Sequence, residues 1–167
     1  MNEITSSRLN NKRPLWGEGE WNDEPDRIQW VDEITGMDCL IKRSPVGALC
    51  GYVAVTPDHP AYGKDYDDVE VIVHGGLTYA APCDEDPHSG ICHVSEEGDH
   101  AWWLGFDCAH SGDLAPSTKS ILEELDHTFP TLGQSAVGLG GRVDEYRNIE
   151  YVRSQCVMLA VQLKGMA

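Results

Sequence analysis

Tyr146, Ile149, Val152, Cys156, Leu159 and Leu163 recur at steps of three and four, the spacing that lines one face of an α-helix. The pattern predicts a helix over roughly 143–164. It is also a demand, because an apolar stripe of that length needs a surface to cover. The preceding chain supplies that surface in another form. Up to residue 106 its apolar residues alternate or come in short runs between glycines and prolines, as β-strands do.

Residues 27–43 read as a hairpin turned at Thr35 and Gly36, and 49–55 as a third strand stopped by Pro57. Residues 69–73 alternate apolar with acidic and form an expected fourth strand. Residues 101–106 form a fifth, with Trp102 and Trp103 on opposite faces. A short helix follows Pro116, where Ser120 and Glu123 are spaced as a capping box. The predicted class is α+β: a mostly antiparallel sheet of about five strands packed against the long C-terminal helix and a short second helix. No linker or internal repeat divides the chain, so 1–167 reads as a single domain. Its first 25 residues are expected to be loosely ordered and to lie across the body through Trp16 and Trp21.

Charge narrows the partners. With 28 acidic residues against 12 Lys and Arg, the formal net charge is −16. That argues against sequence-independent binding of nucleic acid and against anionic membranes, both of which need clustered cations. It leaves room for a small phosphorylated ligand met by a local patch or by a bound cation. No apolar run approaches the roughly 18 residues of a membrane span, and the polar N-terminus lacks an apolar signal segment. The expectation is a cytoplasmic protein with reduced thiols, Cys39, Cys50 and Cys156 being small core residues. The open edge of an apolar strand such as 49–55 makes a homodimer an expected assembly.

Two polar segments carry the candidate chemistry. His74-Gly75-Gly76-Leu77-Thr78-Tyr79 follows the fourth expected strand, and Asp107-Cys108-Ala109-His110-Ser111-Gly112-Asp113 follows the fifth. Histidine binds metals or moves protons near neutral pH, and glycine permits a sharp turn or a close ligand. If the strands are neighbours, His74, Asp107, His110 and Asp113 converge, and imidazole with carboxylate suits a divalent metal such as Zn²⁺ or Mn²⁺. They are the candidate catalytic and metal-binding residues. Gly75, Gly76, Thr78 and Tyr79 are candidate ligand contacts, the glycines through backbone N–H groups and Tyr79 as a stacking ring. Arg142 and Arg147, after the glycine-rich stretch 138–141, are candidate phosphate contacts. His59 and Tyr62 lie in a polar loop suited to edge a ligand. Cys83, His88, Cys92 and His93 have zinc-ligand chemistry but none of the common zinc spacings. Each cluster also fits a plain turn held by side-chain-to-backbone bonds.

The motif order extends the reading. Gly51-Tyr52-Val53-Ala54-Val55, His59-Pro60-Ala61-Tyr62-Gly63, Tyr66-Asp67-Asp68-Val69, Val73 to Tyr79, Trp103 to Asp113, and Tyr146-Arg147 with Glu150-Tyr151-Val152 follow one another. Over roughly 26–163 the chain resembles a family of small, largely uncharacterised proteins encoded by phages, prophages and some bacteria. The resemblance implies a bacterial host cell and an accessory role, such as countering host defence signalling, and no particular mechanism. The function expected is a metal-assisted hydrolase of a small phosphorylated or nucleotide-like ligand. Its alternatives are a protein that binds and sequesters a nucleotide signal, and an acidic protein that blocks a host enzyme.

Overall fold

The computed structural model describes residues 5–8, 13–86, 90–92, 100–128 and 144–167. Six strands form one sheet: β1 (Thr5–Ser7), β2 (Arg27–Val31), β3 (Asp38–Arg43), β4 (Leu49–Val55), β5 (Tyr79–Pro82) and β6 (Trp102–Asp107). Their order is β1-β2-β3-β4-β6-β5, and every pair is antiparallel. Two α-helices follow, α1 (Pro116–Thr128) and α2 (Ile149–Met166). The α+β architecture is as the sequence predicts, with six strands in place of about five. Strand β4 is flanked by β3 and β6, so 49–55 is no open edge, and the sheet ends instead at β1 and β5.

Period-two alternation divides the side chains into two layers. Ile28, Trp30, Cys39, Ile41, Leu49, Val53, Leu104 and Phe106 face α2 and meet Val152, Cys156, Leu159 and Leu163. Gly51 makes that contact possible. It pairs with Phe106, and a Cβ there would stand 2.4 Å from Phe106 Cζ and 2.6 Å from Cys156 Sγ. The opposite face carries a smaller cluster of Leu40, Tyr52, Ala54, Ile91 and Trp103. Trp103 is fully buried there, while Trp102 is half-buried beside Tyr62 and donates to the Lys64 carbonyl.

The expected fourth strand, 69–73, joins no ladder. Its alternation is real, since Val69 and Val73 are buried and Ile72 is 79% exposed. Its backbone partners, however, are side chains of α2. Gln162 accepts from Ile72 N at 2.8 Å and donates to Ile72 O at 2.8 Å, and Gln155 accepts from His74 N at 2.9 Å. Two glutamines thus give an extended segment what a neighbouring strand would.

Helix α2 starts later than its apolar stripe suggests. Asn148 caps it, its side chain accepting from Tyr151 N at 3.0 Å, and Glu24 accepts from Ile149 N at 2.8 Å. Tyr146 and Arg147 precede the helix and turn to different partners. The capping box expected at Ser120 is absent: α1 begins at Pro116, and Ser120 donates to the Leu15 carbonyl instead. The N-terminal segment is also better held than expected from residue 13 onward. Two short 3₁₀ turns, Arg13–Trp16 and Glu20–Asn22, bury Trp16 and Trp21.

Candidate functional site

The strap 74–78, the loop after β6 and the start of α2 meet at one end of the sheet. His74 lies at the centre. Its Nε2 is 2.7 Å from Asp113 Oδ2 and its Nδ1 is 2.8 Å from the Tyr151 hydroxyl. An ionised carboxylate only accepts, so Nε2 carries a proton, and in the neutral tautomer that this assigns Nδ1 accepts the tyrosine hydrogen. Asp113 Oδ2 also accepts from His110 N at 3.1 Å, and Oδ1 accepts from Arg147 Nε at 2.9 Å. Burial pushes the Asp113 carboxyl up, but the bonds from His74, Arg147 and the His110 amide outweigh it and hold the carboxyl below its ordinary value. Burial raises the Tyr151 hydroxyl against the pull of Arg147, whose guanidinium stacks 4.8 Å from that ring. Tyr151 therefore stays a donor.

A second pair lies beside the first. His110 Nε2 is 3.5 Å from Asp107 Oδ1, and the His74 and His110 ring centroids are 5.9 Å apart. Asp107 is oriented by Thr78, whose hydroxyl donates to Oδ2 at 2.9 Å, and by Ala109 N, which donates to Oδ1 at 3.0 Å. His110 Nε2 is buried and finds no hydrogen-bond partner in the protein. The ring fits under Gly75 because that residue has no side chain. A Cβ there would come within 2.2 Å of the ring, and the backbone at Gly75 and Gly76 has φ of +67° and +81°.

The residues expected to converge thus do meet, but as two pairs. His74 and Asp113 are engaged with each other and with Tyr151 and Arg147. Asp107 and His110 are each about one-third exposed at the side chain. Among the described residues no group of three or more His, Cys, Asp or Glu side chains is arranged to hold an ion. Thr78 joins the second pair through Asp107. Tyr79 packs edge-on to Tyr52 at 5.2 Å, both rings over Gly105 on the face away from α2. Arg147 braces Asp113, and its Nη1 donates to Glu145 at 2.8 Å. Arg142 lies outside the described residues.

His59 and Tyr62 belong elsewhere. His59 is buried, its Nδ1 accepting from Ala61 N at 3.0 Å and its Nε2 lying 2.8 Å from the Leu163 carbonyl. Leu163 is twelve residues along α2 from Tyr151, roughly 18 Å at the helical rise. His59 therefore secures the far end of the helix. A cavity of about 580 Å³ opens at that end, between Met37, Val55, Thr56, His100 and Lys164. Both nitrogens of His59 in its wall are already engaged. The convergent polar groups are at the other end.

Cys83 and Cys92 form a disulfide. This departs from the expectation of reduced thiols and removes both sulfurs as zinc ligands in this state. His88 and His93 lie outside the described residues.

A second cluster of charges gathers around Arg43. Arg43, fully buried at the side chain, donates to Asp26 Oδ1 at 2.7 Å, Gly47 O at 2.9 Å, the Tyr146 hydroxyl at 2.6 Å and Glu24 Oε2 at 3.2 Å. Arg13 reaches Asp26 and the carbonyls of Trp21 and Glu24. Tyr146 donates to Glu24 at 2.6 Å. The only early signal was Tyr146, placed on the helix stripe and in the motif order.

No family model, curated protein or solved structure matches the chain. Among the described residues no helix is long and apolar enough to cross a membrane.

Proposed function

We propose that the chain is a divalent-metal-dependent hydrolase of a small phosphorylated or nucleotide-like molecule, with Asp107 and His110 as the protein's metal ligands. The supporting observation is the orphaned Nε2 of His110 beside Asp107. A buried nitrogen left without a partner asks for one. The 3.5 Å to Asp107 Oδ1 is close to the ~3.4 Å that separates two ligands of a tetrahedral ion with bonds near 2.1 Å. Two protein ligands leave positions for phosphate oxygens and water, as in phosphate-bound Mn²⁺ or Mg²⁺ sites. The ion would lower the pKa of a bound water and supply the nucleophile. It would also offset the charge that an anion meets on so acidic a chain. Thr78 and Ala109 N orient Asp107. His74, Tyr151, Asp113 and Arg147 hold the loop that presents His110.

Titration calorimetry with Mn²⁺ and Zn²⁺ tests the reading. Wild-type protein is expected to bind one ion, and Asp107→Asn and His110→Ala to lose it. A panel of phosphate esters and nucleotides should turn over only with metal present. Absence of metal binding and of metal-induced stabilisation sinks the hydrolase reading.

One observation favours sequestration without cleavage. Both nitrogens of His74 are taken, so the most central histidine has no free lone pair to act as general base. A nucleotide that raises the melting temperature, by a free energy of RT ln(1 + [L]/Kd), and is recovered intact would decide for that reading.

A further inference from the structure

The sheet face away from α2 is closed by a small element next to the edge strand. β5 ends at Pro82, and Cys83 follows, its N–H donating to the Ala101 carbonyl at 3.2 Å. Asp84 N donates to Ile91 O at 3.1 Å, and the disulfide joins Cys83 to Cys92. This places Ile91, 5% exposed, against Leu40, Tyr52, Ala54 and Trp103. Arg27 of β2 holds the same element from the other side through the carbonyls of Gly90 and Cys92. The larger core between the sheet and α2 includes none of these loop residues. The clasp can therefore open without dismantling the fold.

We propose that the Cys83–Cys92 disulfide is a reversible thiol-redox clasp that sets whether the apolar face of Leu40, Tyr52, Ala54 and Trp103 is covered. The two sulfurs differ in access, Cys83 being half-buried and Cys92 buried. A reductant thiolate attacks Cys83 Sγ, the Sγ–Sγ bond breaks and Cys92 leaves as a thiolate that takes a proton. A second reductant thiolate releases Cys83 and carries the sulfurs away as its own disulfide. Two electrons and two protons thus pass from the dithiol, or pair of monothiols, to the protein. The other four cysteines do not compete. Cys39, Cys108 and Cys156 are buried and Cys50 is half-buried, and burial pushes the Cys39 thiol up to about 12 and raises that of Cys156. Thiols enclosed in this way are poor nucleophiles toward the pair, so internal exchange does not scramble it. Once the bond is cut, Ile91 is held by its packing and by hydrogen bonds that include those of Asp84, Gly90 and Arg27. The inference does not depend on the ligand proposed above.

The test uses the full chain. Titrated in denaturant without reductant, it should show four thiols, the number free in the structure, and six after reduction with dithiothreitol. Six from the outset overturns the proposal. Hydrogen exchange on native protein should then show the amides of β5 and of 90–92 speeding by roughly tenfold or more on reduction, while those of β3, β4 and α2 hold. Oxidised glutathione should restore the slow rates. Unchanged exchange overturns the proposal, because the bond then controls nothing. Global unfolding overturns it too, because the bond is then a fixed staple. Cys83→Ser/Cys92→Ser should reproduce the reduced pattern without reductant, and failure of that variant to fold counts with the staple.

Discussion

Two polar clusters flank the start of α2, and neighbouring residues feed them. Tyr146 turns to Arg43 and Glu24, and Arg147 turns to Asp113, the partner of His74. The first cluster is built from guanidinium, carboxylate and phenol, with Arg43 wholly enclosed and each named charge matched. It contains no histidine. The second contains two histidines, is open at Asp107 and His110, and leaves one buried nitrogen unmatched. The lesson is in the matching. A closed, fully paired network holds a fold together, whereas an open network with an orphaned atom is where a ligand has something to add.

The largest expected effect tests the structural half of that contrast. Arg43→Ala leaves the buried Asp26 and the half-buried Glu24 and Tyr146 without their central donor. Breaking a buried ion pair in this way costs about 3–5 kcal/mol. Urea denaturation should show a loss of that size, and the cap that Glu24 provides at Ile149 should weaken with it. A loss below ~1 kcal/mol would mean that Arg13 alone suffices to pair the carboxylates, and that the first cluster does not anchor the fold.

A middle effect separates the inner half of the histidine cluster from its outer half. His74→Phe removes the partner of Asp113 Oδ2 and of the Tyr151 hydroxyl, and should cost about 1–3 kcal/mol at pH 7. It should also change the acid limb. The native Asp113 carboxyl lies below its ordinary 3.8, so its pairing stabilises the fold fully above that value. This contribution is lost as pH falls from there through the native value. Without His74 the native value moves back toward 3.8 and this part of the acid dependence shrinks. Denaturation curves for both proteins between pH 7 and pH 3 would show it. Parallel curves would mean that Arg147 and the His110 amide hold the carboxylate unaided.

These clusters were unequally legible in the sequence. His74, His110 and Asp113 stood out because each follows a β-patterned run beside glycine, and local pattern survives folding. The 69–73 run misled in its partner and not in its period, since alternation marks a surface buried on one side whether the backbone meets a strand or two glutamines. Asp26, Arg43 and Glu24 were invisible for the opposite reason. A lone charge in a mixed sequence looks like solvated surface, and nothing local says that Tyr146, more than a hundred residues from Arg43, will close over it. The disulfide was likewise hidden, because spacing alone does not tell a thiol pair from scattered cysteines.

The smallest expected effect on stability is the one that assigns the outer pair. His110 makes no side-chain hydrogen bond within 3.5 Å, its ring is about one-third exposed, and its backbone N–H to Asp113 survives truncation. His110→Ala should therefore shift the unfolding free energy by less than ~1 kcal/mol, because truncation removes an unpaired buried nitrogen along with the packing of a partly exposed ring. A residue kept for stability gives the reverse pattern, a larger loss on unfolding with metal or ligand affinity unchanged. Measuring both quantities on this variant and on Arg43→Ala puts the two clusters on one plot. If His110→Ala falls beside Arg43→Ala, with stability lost and affinity intact, the division between an anchoring cluster and a working one collapses.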